Sequence, residues 1–222
     1  MDLPDADPLL LEDDLKNLRT INRWFGGIHA VQKHIRPLLA RANPRSTISV
    51  LDLATGSADH PLALVALGRQ MGRLLTVTAV DANPRMVEIS RSRTAHEPAI
   101  TVQEGDIRTP SWSDRSFDIV LCSLALHHFP DHEAASILGH MGRISRIGML
   151  VNDLRRSRSA AAAAWLWTRV STRNIMTRND AVLSVWRGFT ASELITLGGA
   201  SGIRNLAVYR EPFYRLVLVG EH

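Results

Sequence analysis

Apolar residues at Leu11, Leu15, Leu18 and Phe25, with Ile21 and Trp24 beside them, follow a three-to-four residue rhythm that predicts an amphipathic helix over residues 10–25. Gly26-Gly27 breaks it, and a second helix is expected over 28–42. The rhythm then shifts. "TISVLDLA" is a short unbroken apolar run, the pattern of a strand buried on both faces. "HPLALVALGRQMG" reads as a helix, "LLTVTAVDA" as a strand, and "NPRMVEISRSRTA" as a helix that Asn83 caps and Pro84 opens. "AITVQEGD" and "FDIVLCSL" are further strands, "DHEAASILGHMGRI" a helix and "GMLVNDL" a fifth strand.

Strand and helix alternate up to Leu154, which marks a parallel sheet wrapped by helices on both faces. Beyond it "SRSAAAAAWLWTRVSTRN" reads as one long inserted helix. "FTASELITLGGASG" carries a capping box at Thr190 and Glu193. "RNLAVYRE" and "YRLVLVGE" follow with only a short turn between them, so they are expected to be antiparallel. The expected architecture is an α/β, doubly wound, mostly parallel seven-stranded sheet with an antiparallel last strand. Residues 1–45 form an N-terminal helical cap, and residues 46–222 form the sheet domain with a helical insert at about 155–180.

Composition narrows the classes. The chain has 222 residues, 45% of them hydrophobic and 22% charged, which suits one globular domain. It has no apolar run near the roughly 18–20 residues that a membrane span needs. The acidic start "MDLPDADPLLLEDD" lacks the features of a secretory signal and Cys122 is the only cysteine, so the expected compartment is the cytoplasm. The net charge of +4 raises a polyanionic partner, but all basic residues other than Lys16 and Lys33 are arginines scattered along the chain, and only "DLRRSRS" forms a cluster. No nucleic-acid partner and no metal site are expected.

In open parallel sheets ligands bind beyond the carboxyl ends of the strands. The first such loop holds Asp52, Ala54, Thr55 and Gly56; the second Asp81 and Ala82, with Met86 on the helix after it; the third Gly105, Asp106 and Ile107; the fourth begins at Ser123. Asp81 lies 25 residues past Gly56, where a carboxylate can accept from ribose hydroxyls. A dinucleotide would call for the three-glycine G-x-G-x-x-G turn, and this turn reads A-T-G-S-A-D. S-adenosylmethionine has no phosphate to cradle, so one glycine suffices for close approach. Asp106 can then accept from an adenine amino group while Ile107 packs on the ring, and the acidic residues suit a sulfonium cation.

"VLDLATGSADHPLAL", "VTAVDANPRM", "VQEGDI" and "FDIVLCSLALHHF" resemble, in order and spacing, the motifs of class I S-adenosylmethionine-dependent methyltransferases over roughly residues 46–219. The resemblance implies a Rossmann-like fold, and "LDLATG" is similar to the quinone-biosynthesis methyltransferases. The departure is Ala58, where that family often has glycine; its methyl is expected to narrow the room near the methionine tail. "DLKNLRTINRWFGG", "NDLRRSRSAAAAAWLWTRVSTRNIMTRND" and "LSVWRGFT" resemble a bacterial branch associated with type III polyketide synthases, which implies phenolic or quinonoid acceptors.

"CSLALHHF" stands where base-methylating relatives carry N/D-P-P-Y/F, a further argument against a nucleic-acid acceptor. His127 and His128 are consecutive, so one is expected to be structural. A histidine can take the proton of a phenol if a carboxylate orients it. The resemblance to small-molecule O-methyltransferases with "LHH" after strand four implies that pair as His127 and Asp153. Trp24, Phe25, His128, Arg155 and Trp165 are the expected contacts to an apolar acceptor. The expected activity is O-methylation of a small phenol or quinol. C-methylation of a quinol ring and a non-catalytic cofactor binder are the alternatives, and self-association as a homodimer stays open.

Overall fold

The computed structural model describes residues 26–172 and 174–222; the helix expected over residues 10–25, with Trp24 and Phe25, lies outside them. A first helix α1 (Gly27–Arg41) precedes β1 (Ile48–Leu53), α2 (Asp59–Gln70), β2 (Leu75–Asp81), α3 (Pro84–Thr94), β3 (Ile100–Glu104) and β4 (Phe117–Ser123). Then come α4 (Asp131–Ile144), β5 (Ser145–Leu154), α5 (Arg158–Ser171), α6 (Ile175–Arg187), α7 (Ala191–Gly198), β6 (Asn205–Glu211) and β7 (Arg215–Glu221). The sheet order is β3-β2-β1-β4-β5-β7-β6. The first five strands pair in parallel, while β7 runs antiparallel to both β5 and β6.

The unbroken apolar runs follow from this layering. In β1, Ile48 and Val50 face a core layer with Ile35, Leu38 and Leu39 of α1 and Leu64 and Leu67 of α2. Leu51 and Leu53 face the other layer, with Ile137, Leu138 and Met141 of α4 and Leu194 of α7. A strand covered on both sides needs apolar residues at odd and even positions alike. Local signals set the ends: Asn83 accepts from Arg85 N–H ahead of Pro84, Ser157 accepts from Ala160 N–H, and Thr190 and Glu193 close a capping box.

The inserted segment differs from the expected single helix. The chain turns extended at Thr172, and Asn174 Oδ1 accepts from Thr177 N–H at 3.4 Å, starting a second helix that runs on to Arg187. A β-branched residue at the end of one helix and an asparagine ahead of the next explain the break.

Chain order moves outward from β1 through β2 to β3 and returns to place β4 on the other side of β1. That reversal opens a crevice beyond the carboxyl ends of β1 and β4. At the β5–β7 joint, a Cβ on Gly148 would lie 2.2 Å from the Gly220 carbonyl oxygen and 3.1 Å from Leu38 Cδ2. Gly148→Ala is therefore expected to destabilise the fold by about 1–3 kcal/mol, read as a lower urea midpoint with an unchanged slope.

Candidate functional site

The loops at the carboxyl ends of β1, β2, β3 and β4 surround a cavity of about 600 Å³, which α5, α6 and the β6–β7 turn complete. The β1 turn is built on alternation. Ala54, Gly56 and Ala58 all hold left-handed backbone, at φ 55°, 56° and 58°. Two of the three positions where glycine would be free of strain are thus alanine. The turn is held by Thr55 N–H donating to the Val80 carbonyl, the Thr55 hydroxyl donating to Asp52 at 2.6 Å, Gly56 N–H donating to Asp81 at 2.8 Å, and the Ser90 hydroxyl donating to the Gly56 carbonyl. A Cβ on Gly56 would meet no atom within 4 Å, so this backbone borders open cavity. Ala58 corrects the expectation of a narrowed site. Its methyl is fully buried and does not line the cavity, so its effect is backbone strain.

Of the residues expected at the cofactor, Ala54, Thr55, Gly56, Asp81, Ala82, Met86, Asp106, Ile107 and Ser123 line the cavity. Asp52 does not; it lies buried beneath the turn and anchors it through Thr55. Gly105 also stands behind the wall. The donors and acceptors fit S-adenosylmethionine. Asp81 reaches the cavity while its oxygens accept from Gly56 and Asn83 N–H, and Asp59 and Asp106 add carboxylates to a wall that also carries Arg108, Arg187 and Arg215. Arg108 forks onto Asp106 at 2.6–3.1 Å and holds its carboxyl below the usual range, so any further donor to Asp106 would share it with a guanidinium.

Histidine chemistry is concentrated at the next loop. His127 lies in a 3-10 turn, Leu126–His128. Its Nδ1 is 2.6 Å from Asp153 Oδ1 and its backbone N–H donates to Asp153 Oδ2 at 3.2 Å. Both side chains are buried, at 3% and 0% exposure. Burial works against the Asp153 charge, but His127 and the N–H groups of Leu154 and His127 outweigh it and bring the carboxyl below its ordinary value. His128 is exposed, its ring 4.3 Å from that of His127, and both imidazoles line the cavity. One of the two histidines was expected to be structural; the tight turn instead sets both against the cavity, with their rings tilted by 35°. Asp153 stands behind His127 and does not itself line the cavity.

Two expected acceptor contacts are placed elsewhere. Trp165 turns outward beneath Arg169, whose guanidinium sits 4.0 Å from its ring, and Arg155 lies over the Tyr214 ring at 5.3 Å. Trp167, two residues on, lines the cavity instead, as a helix that carries Trp165 outward requires. His60, Tyr214 and Arg215 also line it and were missed by sequence reasoning. Their signals were slight: a histidine just inside a helix, and an arginine at the head of an apolar strand. Tyr214 and its neighbour Phe213 hold left-handed backbone in the β6–β7 turn. Among the described residues, no group of three His, Cys, Asp or Glu side chains is placed to hold a metal ion.

Burial shifts two groups that flank the β1 turn in sequence, Asp52 before it and His60 on the helix after it, in opposite senses. It lifts Asp52 to about 7, with Asp81 and Asp59 adding to the rise against the Thr55 hydrogen bond. It drops His60 to about 4, Arg215 adding to the fall. Both ring nitrogens of His60 are buried without a hydrogen-bond partner among the described residues. Between about pH 4 and 7 the folded state keeps a proton on Asp52 that the unfolded chain has lost, so this group lowers stability as pH rises. Between about pH 6.5 and 4 the unfolded chain protonates His60 and the folded state does not, so this group lowers stability as pH falls. Each shift is worth about 1.4 kcal/mol per unit. Asp52→Asn should gain stability over the parent as pH rises from 4 to 7, and His60→Gln should gain as pH falls from 6.5 to 4, in urea titrations across pH. Ala58→Gly should stabilise by about 0.5–1 kcal/mol, since relief of left-handed strain exceeds the added chain entropy.

Residues 50–148 match the family described as Methyltransferase domain. The demethylmenaquinone methyltransferase of Staphylococcus epidermidis is 29% identical over 126 residues, which are 57% of this chain and 49% of that protein. The chain thus spans about half the length of the curated relatives it matches. A SAM dependent methyltransferase from Aquifex aeolicus superposes with a TM-score of 0.65 at 16% identity, over 97% of this chain and 98% of that one. The magnesium protoporphyrin IX methyltransferase of Synechocystis PCC 6803, solved with bound SAH, gives 0.62 at 15% identity over 98% and 90%. Both solved structures share the fold. The sheet order, the acidic turn with its single glycine and the match to residues 50–148 agree: over that segment this chain resembles the class I S-adenosylmethionine-dependent methyltransferases, and among them the methyltransferases of quinone biosynthesis.

Proposed function

We propose that this protein transfers a methyl group from S-adenosylmethionine to a hydroxyl-bearing aromatic acceptor of the phenolic or quinonoid class, with His127 taking the hydroxyl proton. The observation that carries the reading is the buried His127–Asp153 pair on the wall of the cavity that the cofactor loops enclose. When bound, the cofactor supplies an electrophilic methyl on a sulfonium that leaves without protonation. The chain's residues supply position and a base. Asp81 accepts from ribose hydroxyls, Ile107 packs on the adenine and the bare backbone at Gly56 admits the amino-acid tail. With Asp153 ionised, the shared hydrogen belongs on His127 Nδ1, which leaves Nε2 as the basic nitrogen. Trp167, Phe129 and the alanines of α5 line the acceptor side and give it an apolar wall.

A second reading is favoured by the curated relatives, whose name states that they methylate demethylmenaquinone. In that case the same base makes an electron-rich phenolate and a ring carbon takes the methyl. Incubation with labelled cofactor and a panel of alkylresorcinols, quinols and flavonoids tests the proposal. O-methylation keeps every ring deuterium of a deuterated acceptor, and C-methylation loses one. Cofactor binding in calorimetry with no labelled product from any phenol would contradict the proposal and leave a non-catalytic binder.

His127→Ala is expected to lower kcat by about 10²–10⁴ with little change in cofactor affinity, since the lost proton transfer acts in the transition state. Asp153→Asn should act in the same direction and less, because the imidazole stays in place. Asp81→Ala should weaken the cofactor by about 1.5–3 kcal/mol in calorimetry, through lost charge-assisted hydrogen bonds.

A further inference from the structure

Helices α5 and α6 present two faces with different tasks. Their inner side forms the acceptor wall through Ala160, Ala164, Trp167, Thr168, Ala181 and Ser184. Their outer side carries most of the large apolar side chains that the described residues expose, among them Val170 at 80%, Ile175 at 72% and Leu166 at 60%, with Trp165 and Trp186 about half exposed. Trp167 and Leu183 belong to both sides, so the outer face is continuous with the cavity. The pair is seated on small residues, Ala160 and Ala161, with Val185, in a cluster separate from the two main core layers.

Every charged residue in the segment 155–187 is arginine except Asp180. Arg158, Arg169 and Arg187 are exposed, and Arg169 lies on the Trp165 ring. Tryptophan with arginine around an apolar stripe suits the headgroup zone of a bilayer, where the ring is half buried and the guanidinium meets phosphate. A second copy of this chain suits the face less well, because a symmetric contact sets arginine against arginine. The helices have 14 and 13 residues, and no helix among the described residues is long and apolar enough to cross a membrane. The fitting orientation is flat on the surface.

We infer that the outer face of α5 and α6 is a docking surface for an anionic lipid bilayer, and that the acceptor enters the cavity from the lipid past Trp167 and Leu183. The entry of the acceptor rests on the proposed methyl transfer; the docking does not. A lipid-dissolved phenol or quinol with an apolar tail is the substrate class that such a route serves.

The test is co-sedimentation of the full chain with vesicles of phosphatidylcholine alone or mixed with phosphatidylglycerol, for the parent and for the Leu166→Glu/Val170→Glu variant. Neither side chain lines the cavity and both are exposed, so the variant should fold and bind S-adenosylhomocysteine as the parent does. The expected result is binding of the parent to the anionic vesicles, weakened by added salt and reduced about tenfold or more in the variant. Turnover of a short, water-soluble phenol should be equal in the two proteins, while turnover of a vesicle-borne alkylphenol should fall in the variant. Equal sedimentation of parent and variant, or no binding to anionic vesicles, overturns the docking. A concentration-dependent dimer that the same variant abolishes overturns it in favour of a contact between copies. Vesicle binding with no phenol methylated leaves the docking standing and defeats the proposed function instead.

Discussion

Asp153 holds a carboxylate charge where no water reaches it, and that constraint organises the middle of the structure. An unpaired buried carboxylate would cost several kcal/mol, so its oxygens must be met by donors. They are met by His127 Nδ1 at 2.6 Å, by His127 N–H at 3.2 Å and by Leu154 N–H at 2.7 Å. These bonds tie the end of β5 to the turn after β4, so one interaction joins two of the loops that form the cavity. The antiparallel register adds a cation: Leu154 pairs with Arg215, whose buried charge is itself favoured by Asp153. The last strand thus serves the chemistry of the fifth.

A different economy governs the cofactor side. Left-handed alanines at 54 and 58 strain the β1 turn, and two buried groups flank it in sequence, Asp52 with its pKa raised and His60 with its pKa lowered. Strain and desolvated groups of this kind persist only where surrounding bonds over-determine them, here Thr55 to Asp52, Gly56 to Asp81 and Ser90 to Gly56. The turn is rigid for that reason, and a rigid turn presents its backbone to a ligand at fixed distance. Because the titrations of Asp52 and His60 oppose each other across the same pH range, the strained turn need not make the whole fold acutely sensitive to pH.

Much of the fold was legible because the two-sided layering of the sheet writes itself into unbroken apolar runs, and because Asn83 and Thr190 cap where short polar side chains should. The break at Thr172 was not legible, since alanine and tryptophan on either side favour one continuous helix and the two hydrogen-bonding residues that stop it are weak signals. On the site, spacing after each strand brought out Gly56, Asp81 and Asp106, and the resemblance at the LHH stretch brought out His127; the cavity gathers all four. Spacing alone cannot separate a residue that faces the cavity from one that supports it: Ala54 and Asp106 line the cavity, while Asp52, two residues before Ala54, and Gly105, next to Asp106, do not. The insert shows the same limit. Trp165 and Trp167 are near neighbours in sequence and point apart, and nothing fixes which one faces inward until the helix is seated.

In the proposed reaction His127 removes the acceptor's hydroxyl proton as the methyl is transferred. Its most direct test is the ratio of single-turnover rates, parent over His127→Ala, across a series of phenols whose acidity rises from a pKa near 10 to below the assay pH. The account predicts a ratio that is large for weakly acidic phenols and shrinks toward one for those already ionised when they bind. A ratio that stays constant across the series would contradict it and leave positioning as the whole of the catalysis.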